Sequence, residues 1–159
     1  MAQEIEHLDA LLKILAITEG KIESLPFFAK VGEYVKATVK ARTLAGLDAD
    51  NGKFDAYAPT YAEVRAAYGH KTDPVNLKWS GQMFNAMVAS PTSRSVRVFF
   101  TNSYAAPVAP HKKSNVTNAE KAMYLNKKRR FFALSAKQIR WIIDEWTRTI
   151  VIALEGRNG

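Results

Sequence analysis

Residues 121–154, KAMYLNKKRRFFALSAKQIRWIIDEWTRTIVIAL, hold the clearest helix of the chain, its densest charge and the junction between them. Ser135 opens S-A-K-Q, a serine with a glutamine three residues on. That is a capping box, in which the hydroxyl takes the amide of the third helical residue and the glutamine reaches back to the serine amide. Behind it Ile139, Ile142, Ile143, Trp146 and Ile150 recur at three- and four-residue steps. The spacing predicts a helix over 135–154 with one apolar stripe, and makes that stripe the expected organiser of the core. Just before the cap, Phe131 and Phe132 follow directly on Lys127, Lys128, Arg129 and Arg130. The phenylalanine pair fits either an interface anchor with a charged rim or the chain's own core. Trp141 falls off the stripe and is an interface candidate, whereas Trp146 falls on it.

Outward from this stretch, the totals set bounds. The chain of 159 residues has ordinary globular fractions, 47% apolar and 24% charged, so one domain over 1–159 with a real core is expected. There is no cysteine, which excludes disulfides and thiolate metal sites. No apolar run approaches the roughly 18 residues of a membrane helix, so no membrane partner is expected. The start is acidic, with Glu4, Glu6 and Asp9, unlike a signal peptide, and a cytoplasmic protein is the expectation.

The net charge of +8 is unevenly placed: residues 1–80 carry 10 basic and 11 acidic side chains, residues 81–159 carry 13 and 4. From His111 to Arg140 there are nine Lys or Arg and one acid, Glu120. Such a segment suits a polyanion, an acidic protein surface or plain solvent.

Toward the N-terminus, Ile5, Leu8, Leu11, Leu12 and Leu15 predict an amphipathic helix over 4–17, with Gly20 as its stop. Pro26 suits the first turn of a second helix, which carries Phe27, Val31, Tyr34, Val35 and Val39 on one side and ends at Gly46. These helices make up an N-terminal helical part, 1–45, ahead of a core over 46–159. Residues 47–60 read as a loop around the turn signal Asp50-Asn51-Gly52. Thr60 is the expected cap of a short helix with Glu63, and Ser80 of another bearing Met83, Phe84 and Met87. Residues 88–92 and 95–102 predict a hairpin turning near Ser93-Arg94, with Val96 and Val98 on one face and Arg97 and Phe99 on the other. Residues 103–118, with Lys112 and Lys113, read as a long exposed loop, after which Thr117 or Asn118 can cap a helix.

Reagents for catalysis do not stand out. His7, His70 and His111 are far apart and form no H-E-x-x-H, and no Gly-rich phosphate loop or G-x-S-x-G is present. Counted from Asp48, the twelfth position of a calcium loop is Pro59 rather than Glu. A metal nuclease would have to draw on Asp48, Asp50, Asp55, Glu63 or Asp73, whose spacing demands no cluster. No catalytic residue, metal or cofactor is assigned.

Three pieces nevertheless stand in a telling order: GLDADNGKFDAYAPTYAEVRAAYG from Gly46, LKWSGQMFNAMVAS from Leu77, and AEKAMYLNKKRRFFALSAKQIRWIIDEW from Ala119. Together they resemble the virion morphogenesis and tail-completion (neck) proteins of tailed bacteriophages. That family has an acidic glycine-containing loop ending in proline, an L-x-x-T/S-G turn into a helix and strand, and a late R-P-F-F-G-L-S before its last helix. The late motif departs here: its proline is missing, Ala133 stands for its glycine, and Lys127 to Arg130 replace a Gly-rich segment. The resemblance implies an α+β domain, a small antiparallel sheet packed against a long C-terminal helix with additional N-terminal helices. It implies a structural protein of the virion, present in the host cytoplasm during assembly, that forms a homo-oligomeric ring, a hexamer, joining head and tail. DNA would pass through, and connector and tail proteins would be its neighbours. Lys112, Lys113, Lys127, Lys128, Arg129, Arg130, Phe131, Phe132 and Trp141 are then the candidate contact residues. The competing expectation is a nucleic-acid-binding module using residues 111–140.

Overall fold

The structure, a computed structural model, describes residues 24–103 and 116–155. The helix expected over 4–17, most of the 103–118 loop, Lys112 and Lys113 lie outside the described residues. Those described form an α+β fold: α1 (Leu25–Leu44), α2 (Pro59–Ala67), α3 (Gln82–Asn85), β1 (Met87–Pro91), β2 (Val96–Phe100), α4 (Asn118–Lys128) and α5 (Ala136–Glu155).

The long helix α1 lies at the centre. Phe27, Val31, Val35 and Val39 recur every four residues and are all buried. Pro26 sits in its first turn, and Gly46, at φ 82°, follows its end in the left-handed region that glycine tolerates. One side of α1 lies on the hairpin. There Gly32 permits a close approach, since a Cβ on it would stand 2.7 Å from Ala89 Cβ and 2.9 Å from Val96 Cγ2. The strands pair antiparallel, Met87 opposite Phe100 and Pro91 opposite Val96. Alternation turns Val96, Val98 and Phe100 inward and Arg97 and Phe99 outward, as the period-two pattern requires. Thr92 closes the turn by accepting the Arg94 and Ser95 amides on its hydroxyl.

The helix α5 runs antiparallel to α1 on another of its sides. Arg42 meets Gln138, Tyr34 stacks on Trp141 at 3.7 Å between centroids, Lys30 pairs with Glu145, and Phe27 and Phe28 reach Trp146. This overturns the expected apolar stripe. Ile139 and Ile143 are 46% and 52% exposed, while Gln138 and Glu145 keep only 3% and 8%. The cause is polar: Gln138 and Glu145 have strong partners on α1, and satisfying them turns the helix away from its most aliphatic face. Ile150 and, in part, Ile142 and Trp146 stay inside. The core is organised by α1, with Phe131 wholly enclosed among its residues.

Smaller corrections concern helix starts. Pro59, not Thr60, begins α2, and Ala58 stands at its cap without a side-chain bond. The helix α3 is a single turn entered through Gly81, with Ser80 Oγ accepting the Gln82 amide, and Met87 already belongs to β1. At α4, Thr117 and Glu120 form a full capping box.

Two outcomes test this packing. Gly32→Ala gains about 1 kcal/mol of helix propensity but forces a methyl into Ala89 and Val96, so a net loss of about 1–2 kcal/mol in urea unfolding is expected; a gain would contradict the close approach. Glu145 is held below the ordinary carboxylate value, first by the hydrogen bond from Lys30, against the opposing effect of burial, and then by the charges of Lys30 and Arg148. A lowered folded pKa means that its contribution is present above the unfolded value, near 4.5, and fades as pH falls through the folded one. Melting temperature should therefore drop less steeply below that pH in Glu145→Gln than in the wild type.

Candidate interface around the basic turn

Residues 46–59 form a loop closed on itself. Asp48 Oδ1 accepts the Asp50 and Gly52 amides at 2.9 and 2.7 Å, and the Asp48 amide donates to the Gly52 carbonyl at 2.8 Å. Asn51 takes the left-handed conformation that the turn needs. The Asp48 carboxylate is thus engaged with its own backbone. Among the described residues no three His, Asp or Glu side chains gather as a metal site.

This loop is held against the basic turn. The Ala49 amide donates to the Arg130 carbonyl at 2.8 Å, and Ala49 is fully enclosed. Arg129 Nη2 donates to the Asp55 and Ala56 carbonyls at 3.0 and 3.2 Å, with its guanidinium carbon 5.6 Å from the Tyr57 ring centroid. Arg130 pairs with Asp50 at 2.7 Å, and both side chains are largely in solvent, so this pair contributes little by itself. Tyr57 carries the contact onward: its hydroxyl accepts the Leu77 amide at 3.2 Å. Behind it lies Arg65, almost wholly buried, donating to the carbonyls of Lys71 and Lys78 and to Asn76 Oδ1. Its guanidinium lies 4.6 Å from the Tyr57 ring, 5.9 Å from Tyr61 and 5.7 Å from Trp79. Carbonyls and ring faces stabilise the charge where water is displaced.

The turn from α4 into α5 is fixed from α1. Arg42 Nη2 donates to the Phe131 and Ala133 carbonyls, both at 2.8 Å, and Nη1 donates to Gln138 Oε1 at 3.0 Å. The same Gln138 oxygen accepts the Ser135 amide at 2.8 Å, and Ser135 Oγ accepts the Gln138 amide at 3.2 Å, completing the expected capping box. Burial lowers the Arg42 pKa, opposed by the nearby charges of Asp48 and Asp50.

The candidate contact residues therefore separate. Phe131 is core, not a surface anchor; its enclosure removes it from any interface in this conformation. Phe132 is half-buried with its ring edge-on to Phe100 at 4.9 Å. Trp141 lies against Tyr34 of its own chain rather than standing free as an interface anchor. Arg129 is half-buried against the 46–59 loop, and Arg130 reaches Asp50 of the same loop at the surface. Lys127 and Lys128 remain exposed. They share the outer face of α4 with Met123 and Tyr124, which are 60% and 58% exposed. Lys128 Nζ lies 4.9 Å from the Tyr124 ring centroid. A hydrogen bond from Lys128, and then its charge, hold the Tyr124 hydroxyl below its ordinary pKa. Sequence reading missed this face, although Met123 and Tyr124 stand four residues before Lys127 and Lys128, the spacing of one helix surface. His70 packs on Trp79 at 4.3 Å, and His7 and His111 lie outside the described residues. No family model, curated protein or solved structure matches the chain.

Arg42 supplies the test of this arrangement. Arg42→Lys keeps the charge but cannot reach two carbonyls and an amide oxygen with one ammonium. A loss of about 2 kcal/mol in chemical unfolding is expected, because buried acceptors are left unpaired. Wild-type stability in Arg42→Lys would show that the clamp is dispensable.

Proposed function

We propose that this chain is a structural, non-catalytic component of a tailed-phage neck, a tail-completion or terminator protein working as a homo-oligomeric ring around the DNA channel. The observation that carries the reading is the meeting of the three resembling sequence pieces. The 46–59 loop, the segment from Leu77 and the basic turn are bonded to one another through Ala49, Arg129, Tyr57 and Arg65. A shared frame explains why such short motifs would recur together, in one order. The polar side chains of that frame hold backbone groups, which suits a scaffold.

Size is compatible with a ring. A compact chain of this length is about 40 Å across as a sphere, and six such spheres leave a hole about one sphere wide. A duplex passes such a hole without tight contact. The exposed residues on α4, Met123, Tyr124, Lys127 and Lys128, then serve a neighbouring subunit or connector protein rather than a grip on DNA.

Lys127→Glu with Lys128→Glu tests this. The charge reversal sits on an exposed helix face and should leave melting temperature within about 2 °C of wild type. Rings seen by electron microscopy of the wild-type protein should be lost, and with them the ability to complete tailed particles. A wild type that forms no ring but binds duplex DNA with a steep salt dependence, reduced in slope by about 2 in the double variant, would establish the nucleic-acid-binding module instead.

A further inference from the structure

The outer face of α2 carries Glu63, Val64 and Ala67, all exposed, with Tyr68 half-exposed at its end. Residues 63 and 67, and 64 and 68, stand one turn apart, so these side chains share one surface. Glu63 makes no ion pair among the described residues, whereas Glu33 and Asp50 are taken up by Lys36 and Arg130. The outer face of α4 has the same layout with the opposite charge: Met123, Tyr124, Lys127 and Lys128, again one turn apart. We infer, resting on the ring reading above, that the α4 face of one copy docks on the α2 face of the next. Lys127 and Lys128 then meet Glu63, and Met123 and Tyr124 lie over Val64 and Ala67.

Three observations select this pairing. The first is charge. From Asp55 to Asp73 the exposed ionic residues are Asp55, Glu63, Lys71 and Asp73, three acids to one base. On α4 they are Lys127, Lys128 and Glu120, and Glu120 is bound into the helix cap. The second is shape. The long side chains of α4 need a shallow surface, and alanine and valine on α2 leave room for them. The third is placement. Both helices are anchored by their inner sides around Tyr57, with the Arg65 guanidinium of α2 4.6 Å from its ring and that of Arg129, at the end of α4, 5.6 Å. The outer faces are left exposed and meet only between copies.

Competing occupants fit less well. A second copy presenting the same α4 face would bring four lysines together, which repel. The end of α5 exposes Val151, Ile152 and Glu155, but Lys137, Arg140 and Arg148 outnumber Asp144 and Glu155 among the exposed ionic residues of that helix. A contact between two different faces is head-to-tail, the kind that closes into a ring or extends as a filament. Each copy of a ring is held at both faces, and closure makes the last contact intramolecular. The patch therefore need not supply the roughly 800 Å² per partner of a stable two-body interface.

Charge exchange tests the pairing on the full-length protein, with assembly followed by sedimentation at low salt. Glu63→Lys alone, and Lys127→Glu with Lys128→Glu, should each raise the concentration for half-assembly at least about tenfold. The triple variant should return to within about threefold of wild type. A triple variant no better than either parent would overturn the inference, as would recovery when Glu155→Lys replaces Glu63→Lys. The cysteine-free chain gives a second reading. Val64→Cys combined with Met123→Cys should oxidise to a ladder of covalent oligomers, about tenfold more than Ile152→Cys combined with Met123→Cys. Cross-linked monomer alone, or equal yields from the two pairs, would overturn the inference. A wild type that assembles while these variants fail leaves the ring reading standing and removes only this pairing; a wild type that stays monomeric at all concentrations removes both.

Discussion

The guanidinium of Arg42 binds the two halves of the fold together. It stands in the last turn of α1, yet its three bonds go to Phe131, Ala133 and Gln138, about ninety residues later. Turns between helices leave carbonyls without helical partners, and a turn against the core cannot leave them to water. Arginine answers this with a planar fork of donors that stays charged even when partly buried. The consequence reaches in both directions. Backward, the turn carries the Arg130 carbonyl that receives Ala49 and so sets the 46–59 loop. Forward, Gln138 is fixed by Arg42, Thr38 and Ser135 at once, which sets the rotation of α5.

That rotation shows what sequence can and cannot convey. Signals that act within a few residues were legible. The Ser135–Gln138 box, a cap for α4 at Thr117 or Asn118 (Thr117 is the one used), Gly46 after α1, the buried series Phe27, Val31, Val35 and Val39, and the inward face of β2 all follow from local rules. The orientation of α5 does not. Its aliphatic series is stronger than its buried one, and the deciding partners, Thr38 and Lys30, are 100 and 115 residues away. Periodicity measures the apolar character of a face but carries no information about a distant polar partner. A glutamine and a glutamate at positions three and ten of a helix read as solvent-facing until those partners are known.

The same reasoning applies to Arg65. Among the described residues no carboxylate pairs with it, and an enclosed cation is costly unless its donors and its charge are both accommodated. Here the loop over 70–78 supplies carbonyls while Tyr57, Tyr61 and Trp79 surround the guanidinium. The aromatic residues of this region, which sequence alone would offer as base-stacking surfaces, are engaged in part with an internal cation. Lys121 lies near enough that Arg65 adds to the burial that lowers its pKa, a second sign that this part of the fold concentrates positive charge inside as well as outside.

The run Lys127, Lys128, Arg129, Arg130 is therefore four residues with two kinds of task. The lysines fall in the last turn of α4, where a positive charge also complements the helix C-terminus. At Arg129 the backbone leaves the helix for an extended conformation, and from there both arginines face the 46–59 loop. Residue type and position agree: the fork of Arg129 stands where two carbonyls need donors, that of Arg130 meets the Asp50 carboxylate at the surface, and the ammonium groups stand where water is plentiful. A charge count over the segment cannot separate these, because it weighs each residue equally. What the run can offer a partner is narrower than its composition suggests, two lysines flanking a methionine and a tyrosine on one helix face. Such a surface, part apolar and part cationic, fits a protein neighbour with an acidic rim better than it fits an evenly charged polyanion.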